Sequence, residues 1–214
     1  FLRYSAKDGY FIAVQETDFC LAVGTLTVVT GRSGSGKSTL LHILGGLMKP
    51  VTGRVLVDDV DLYAMGEDAR TRLRSRHIGI VPQRLMSLAS LSVRENILLP
   101  TLLAGEAEKF APRVDELMEH LGIRKLASVA PSELSGGELR RVTIARALVM
   151  QPGILLADEP TGDLDEENTQ SVLSLLRETA DAGAAVLLVT HESEARNYAD
   201  ICYTMEAGKL ERNT

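Results

Sequence analysis

Apolar residues in this chain follow two rhythms. Short runs of apolar and β-branched residues occupy 25–30, 55–57, 78–81, 154–157, 185–190 and 201–205. Between several of them, apolar residues recur every three or four positions. A short apolar run bounded by turn residues reads as a buried strand, and the longer spacing as one face of a helix. Leu40, Leu41, Ile43, Leu44 and Leu47 predict a helix over 38–47, weakened by Gly45-Gly46 and stopped by Pro50. Leu139, Val142, Ala145, Leu148 and Val149 predict another over 138–150, ended by Gln151-Pro152-Gly153. Val172, Leu173, Leu176 and Thr179 mark a third. Apolar strands alternating with helices predict an α/β fold with a mostly parallel sheet covered on both faces.

From about 84 to 133 the strand rhythm disappears. Ser92-Val93-Arg94-Glu95 matches a capping box, in which serine and glutamate satisfy the first free N–H groups of a helix. Val114, Leu117, Met118 and Leu121 repeat at helical spacing, and Gly122 suits the C-terminal cap. Residues 84–133 therefore read as a helical subdomain inserted into an α/β body formed by 1–83 and 134–214. No internal repeat, low-complexity tract or linker marks a second domain, so the expectation is one domain over 1–214.

Composition narrows the field. The 214 residues carry a formal net charge of −6 with a pI near 5.3, which argues against a nucleic-acid coat. Arg70, Arg72, Arg74 and Arg76 form one basic run, read as a solvated face. Cys20 and Cys202 lack metal-ligand spacing and read as buried free thiols, which suits a reducing compartment. No apolar run reaches the ~18 residues that cross a bilayer, and no signal peptide is visible. Position 1 is Phe, not Met, which leaves room for residues in front of it.

Two segments carry chemistry. Residues 31–39 read Gly-Arg-Ser-Gly-Ser-Gly-Lys-Ser-Thr between a predicted strand and a predicted helix. This is a phosphate-binding P-loop. Glycines at Gly31, Gly34 and Gly36 let the backbone wrap phosphate oxygens, and the N–H groups of the loop, through Ser33 and Ser35, form an anion nest. The helix that follows, opening at Ser38 and Thr39, brings its positive end to the same place. Lys37 supplies a full charge for the β and γ phosphates, and Ser38 a hydroxyl for Mg²⁺. The second segment is the apolar run 154–157 followed by Asp158-Glu159. Ligands in parallel sheets bind at the carboxyl ends of strands, so Asp158 is placed to hold Mg²⁺ and Glu159 to deprotonate an attacking water.

Further motifs make a family resemblance specific. Leu134-Ser135-Gly136-Gly137-Glu138 resembles the signature of ABC transporter nucleotide-binding subunits, continued by Arg140-Arg141-Val142 and Ala145-Arg146-Ala147-Leu148. Asp158-Glu159-Pro160-Thr161 and Gly162-Asp163-Leu164-Asp165 resemble the acidic strand end and the D-loop of that family. Gln83 and His191 each follow a strand, where the Q-loop glutamine and switch histidine fall. Tyr4 is spaced as the adenine-stacking aromatic would be, with Tyr10 or Phe11 as alternatives. The stretch 40–53, the Asp-Glu-Pro-Thr-Gly run and the brevity of the chain look like the ATPases of macrolide-exporter and lipoprotein-release systems. Two departures are Glu138 in place of the usual glutamine and a segment 101–111 that looks short.

The resemblance implies a P-loop NTPase fold with an antiparallel N-terminal β region and a transport-coupled ATPase using ATP and Mg²⁺. It implies an ATP-dependent head-to-tail homodimer, in which Ser135, Gly136, Gly137 and Glu138 of one chain close on the ATP of the other and Asp165 connects the two sites. Lys37, Glu159 and His191 would be catalytic, and Ser38, Gln83 and Asp158 would hold Mg²⁺. An integral membrane permease would be the partner, placing the chain at the cytoplasmic face of the membrane, with no nucleic acid expected. A soluble ABC ATPase acting on DNA or the ribosome is the alternative. It is disfavoured because no heptad run interrupts residues 37–135 and only one ATPase unit is present. An unrelated P-loop kinase would need neither the signature nor His191.

Overall fold

Unbroken apolar runs are needed where both faces of a strand are covered, and the sheet shows why. The computed structural model describes the backbone of residues 2–6 and 9–213 and the side chains of 12–213. β1 (Leu2–Ala6) and β2 (Gly9–Val14) form an antiparallel pair, as the N-terminal expectation required. The main sheet contains β3 (Leu26–Thr30), β6 (Ile78–Val81), β7 (Ile154–Asp158), β8 (Ala185–Thr190), β9 (Ile201–Glu206) and β10 (Lys209–Arg212), in the order β10-β9-β3-β8-β7-β6. All its pairs are parallel except β9 with β10.

In β8, Leu187 and Val189 face one core with Val29, Leu156 and Leu40, Leu41 and Ile43 of α1 (Lys37–Leu44). Val186 and Leu188 face the other, with α5 (Gly136–Leu148) and α6 (Glu166–Asp181). That second core continues without a break into α3 (Val93–Leu103) and α4 (Ala107–His120) through Val93, Ile97, Val114 and Leu117. Residues 84–133 contain these two helices and two short 3-10 turns, with no strand among the described residues. The capping box at Ser92 and Glu95 forms as read, and Gly122 takes a positive φ of 65° just after α4.

Three expectations change. The run 55–57 is not part of the main sheet. Leu56–Val57 (β4) pairs with Val60–Asp61 (β5) in a separate hairpin, whose turn residues Asp58 and Asp59 both have positive φ. A helix, α2 (Glu67–His77), fills a stretch that apolar spacing could not reveal, because it buries none of its residues. It places acidic residues in its first turn and basic ones in its last, which suits its dipole. Its arginines are only partly the solvated face expected: Arg72 and Arg76 are exposed, but Arg74 Nη1 donates to the Gly46 carbonyl at 3.1 Å and Arg70 lies over the Tyr63 ring. Both cysteines are free, yet Cys20 is exposed and Cys202 half-buried, because Cys20 falls in a surface segment before β3 and not in a strand.

Candidate nucleotide site

Strand order assembles the site. β3 pairs with β8, β8 with β7, and β7 with β6, so the segments leaving their carboxyl ends lie side by side. Thr30 is level with Thr190, Asp158 with Val189, and Val81 with Ala157. Gly31, His191, Glu159 and the Pro82-Gln83 segment therefore emerge in a row along one edge, from four segments far apart in sequence.

The loop after β3 is shaped by tight backbone approaches. A Cβ at Gly36 would stand 2.0 Å from the Ala13 carbonyl oxygen, and Gly36 adopts φ 110°. A Cβ at Gly31 would stand 2.3 Å from the Met205 carbonyl oxygen. These glycines are therefore dictated by β2 and β9 packing behind the loop, as well as by the phosphate approach inferred from sequence. Ser33 and Gly34 are exposed at the loop tip, while Ser35 is buried with its Oγ unpartnered. Gly36 caps α1 without a side chain, which leaves the first N–H groups of the helix to an anion; Ser38 and Thr39 sit half-buried in that first turn. The buried Lys37 ammonium donates to the carbonyls of Gly31 at 2.8 Å and Arg32 at 3.2 Å and lies 3.9 Å from Glu159 Oε1.

Asp158 is 2% exposed, and its Oδ1 is buried without a partner. Burial pushes its carboxyl above the usual range, against the pull of the Ser38 hydroxyl bonded to it. A buried carboxylate oxygen left unpaired beside a serine hydroxyl fits a Mg²⁺ site, since a hard cation would satisfy it. Gln83, the third predicted ligand, has an exposed side chain at the end of β6.

Glu159 takes φ 49°, a left-handed conformation that costs a non-glycine residue energy and clusters at functional sites. Its Oε2 accepts from Thr190 Oγ1 at 3.0 Å and His191 N at 3.3 Å, and lies 2.9 Å from His191 Nδ1. Three contacts on one oxygen leave Oε1 turned toward Lys37. His191 is itself mostly exposed, so one face of its ring is open.

The signature opens α5 in a second capping box. Ser135 Oγ accepts from Glu138 N at 3.3 Å, and Glu138 Oε2 accepts from Ser135 N at 2.8 Å and Ser135 Oγ at 2.7 Å. Those bonds hold the Glu138 carboxyl below its usual range. Gly136 leaves open space, while a Cβ on Gly137 would touch Leu164 and Asp163, so the signature packs on the D-loop. Asp165 caps α6 by accepting from Asn168 N at 2.8 Å. Tyr4 lies in β1, but its side chain falls outside the described residues, as do those of Tyr10 and Phe11.

Sequence reasoning missed Thr190, fully buried against Glu159, and Glu192, whose Oε2 accepts from the buried Thr161 hydroxyl at 2.6 Å. It read Arg140 only as a continuation of the signature and missed that this residue, 4% exposed, donates to the Gln83 carbonyl at 3.0 Å. No periodicity signals these roles: Thr190 closes an apolar run, Glu192 falls in the polar stretch 191–194, and Arg140 stands beside a second arginine.

A parallel sheet that gathers a phosphate loop, a buried acidic strand end and a histidine at one edge defines a P-loop nucleoside triphosphatase. The chain belongs to the ABC transporter family, whose profile matches residues 14–162. It is 38% identical to the lipoprotein-releasing system ATP-binding protein LolD of Hyphomonas neptunium over 97% of this chain and 92% of that one. It is 42% identical to the methionine import ATP-binding protein MetN of Bradyrhizobium diazoefficiens over 97% of this chain, which spans 60% of that protein's length. Among solved structures, a bacterial ABC transporter cassette captured as a dimer superposes with a TM-score of 0.91 at 30% identity, covering 99% of this chain and 95% of that one. A post-hydrolysis dimer of an ATP-binding cassette bound to ADP and Pi superposes at 0.89, with 30% identity and the same coverage.

Proposed function

We propose that the chain is the ATP-hydrolysing subunit of an ABC transporter, acting as a head-to-tail dimer that sandwiches two ATP molecules and drives a membrane partner. The observation that carries this reading is the pairing of Lys37 with the Asp158-Glu159 strand end, while a second glycine-bearing helix N-terminus, capped by Ser135 and Glu138 and carrying Gly136 and Gly137 in its first turn, lies on the D-loop. One phosphate group needs one such helix end; a second, carried on a different element, suits the nucleotide of another copy.

Lys37 would exchange its two carbonyl contacts for β and γ phosphate oxygens. Ser38, Asp158 and Gln83 would hold Mg²⁺, which supplies charge neutralisation along the phosphates when bound. Glu159, fixed through Oε2 by Thr190 and His191, would orient the attacking water and accept its proton at Oε1. The open ring face of His191 would hydrogen-bond the γ phosphate. Ser135, Gly136 and Gly137 would meet the partner's nucleotide, with Glu138 and Asp165 fixing the helix starts around it. Tyr4 would stack on the adenine. Residues 84–133 would be the helical subdomain that meets the membrane partner.

Relatives that release lipoproteins and relatives that import methionine both stand near this chain, so the cargo belongs to the partner. Export, lipoprotein release or mechanotransmission is the work we assign to the complex. Among the described residues no helix is long and apolar enough to cross a membrane; the chain would sit peripherally, at the cytoplasmic face, through the partner. The test is Glu159→Gln with ATP and Mg²⁺ in detergent extracts of source cells. Hydrolysis should fall by about 10²–10⁴-fold, and the variant should accumulate as a dimer that co-purifies with one polytopic membrane protein. A monomer that retains turnover would overturn the reading, and recovery of ribosomes or DNA-bound proteins would move it to a soluble ABC ATPase.

A further inference from the structure

Among the described residues, Arg140 is the one buried charge besides Lys37, Asp158 and Glu159. It lies on α5, five residues after Ser135, and its side chain is 5% exposed. Nη1 donates to the Gln83 carbonyl at 3.0 Å and reaches the Pro82 carbonyl at 3.4 Å. Nη2 stands 3.9 Å from Asp163 Oδ2, and Nε is buried with no partner. At 3.9 Å the contact with Asp163 is an ion pair and not a hydrogen bond. Asp163 has the left-handed φ of 65° and a side chain 78% exposed.

A guanidinium is a rigid flat fork whose donors sit on three separate nitrogens, so its two edges can engage groups on different segments, whereas the donors of a lysine ammonium all radiate from one nitrogen. One edge of this fork holds the backbone that carries Gln83. The other faces the D-loop across a gap about 1 Å too wide to bond. Whatever covers Asp163 removes water from that gap and strengthens the attraction between the charges. A fork drawn toward Asp163 would loosen its hold on the Gln83 carbonyl.

We propose that Arg140 is a positioning residue that couples the Asp163 carboxylate to the segment carrying Gln83, so that covering the D-loop with a second copy of the chain resets Gln83. This rests on the dimer reading above for what covers Asp163, but the coupling itself lies within one chain.

The test uses the full chain without nucleotide, labelled for NMR. Asp163 is exposed, so Asp163→Asn leaves the fold intact and should shift the Gln83 carbonyl ¹³C and the Arg84 amide ¹⁵N resonances. The same substitution on an Arg140→Gln background should leave both unmoved. If Arg140→Gln does not fold, Arg140→Lys, which keeps the charge and loses the fork, should show less than half the shift. No shift from Asp163→Asn, or an equal shift in both backgrounds, overturns the proposal. In Mg²⁺-dependent hydrolysis, either single variant should raise the Mg²⁺ concentration for half-maximal rate by about three- to tenfold, and the double variant no further. Additive effects would overturn it. An unsubstituted chain with no ATP turnover would count against the hydrolysing-dimer reading, and the resonance shifts would still decide the coupling.

Discussion

Asp158→Asn should stabilise the nucleotide-free protein while destroying its Mg²⁺-dependent turnover. Asp158 is 2% exposed and keeps Oδ1 buried without a partner, next to the Glu159 carboxylate. Leaving a buried acceptor unsatisfied costs about 1–3 kcal/mol, and more when it is charged. Burial is also the largest cause of the raised carboxyl pKa, so the charged form is the strained one. An asparagine has the same shape, removes the charge, and can donate to the Ser38 hydroxyl that now donates to Asp158. Recovering about 1–2 kcal/mol in a chain of this size corresponds to a rise in Tm of roughly 2–8 °C. Thermal unfolding followed by circular dichroism in EDTA measures this directly. With saturating Mg²⁺ and ATP the order should reverse. Binding at 100 times Kd stabilises the native state by about 2.7 kcal/mol, and the variant forfeits the share carried by the metal. An Asp158→Asn protein less stable than the parent in EDTA, or one with parental Mg²⁺-dependent hydrolysis, would refute the claim that Asp158 is held in strain for a cation.

Two further outcomes follow from geometry. Thr190→Val keeps the side-chain volume but removes the hydroxyl that donates to Glu159 Oε2 and accepts from Glu192 N at 3.1 Å; hydrogen bonds to charged groups contribute about 1.5–3 kcal/mol, so kcat should fall by roughly ten- to hundredfold with little change in KM for ATP, and an unchanged kcat in steady-state phosphate release would show that Glu159 needs no such support. Gly36→Ala places a Cβ 2.0 Å from the Ala13 carbonyl oxygen at φ 110°; the strain should cost about 2 kcal/mol or more, lowering Tm and weakening nucleotide binding together, and a variant with parental Tm and ATP affinity would mean that the loop is free to shift.

The loop carrying Gln83 shows how far sequence reasoning reached. A glutamine after a strand was legible, because the apolar run 78–81 and Pro82 mark where β6 ends. What holds the following segment was not. The buried Asn96 side chain bonds Leu88 N and O and the carbonyls of Leu91 and Ser92, Arg146 donates to the Met86 carbonyl at 2.6 Å, and Arg140 holds Pro82 and Gln83. Each anchor lies on a helix that the sequence showed through a capping box, an apolar face or the signature, none of which tells what the anchoring side chain bonds. Likewise α2 escaped notice because it meets the core through the half-buried Leu73 and the arginines Arg70 and Arg74, which leaves no apolar period, and the Cys20 reading failed because an apolar neighbourhood in sequence is not a buried one in space.

The sequence by itself determined the chemistry of each local element. Lys37 and the glycines around it, the apolar strand ending in Asp158-Glu159, and the capping serines at Ser92 and Ser135 act within a few residues of themselves, so spacing alone specifies them. Only the tertiary structure decided which of them meet. Strand order β6-β7-β8-β3 sets Gln83, Glu159, His191 and Gly31 along one edge, and that order depends on pairings between residues distant in sequence, Ile78 with Ile154, Ile154 with Ala185 and Leu26 with Val186. It also decided that Glu159 leans on Thr190, that Asp158 has an oxygen with no partner, and that Arg140 faces two loops. Such facts depend on distance and water exclusion, which arise when separate segments pack, and a linear pattern of residue types does not contain them.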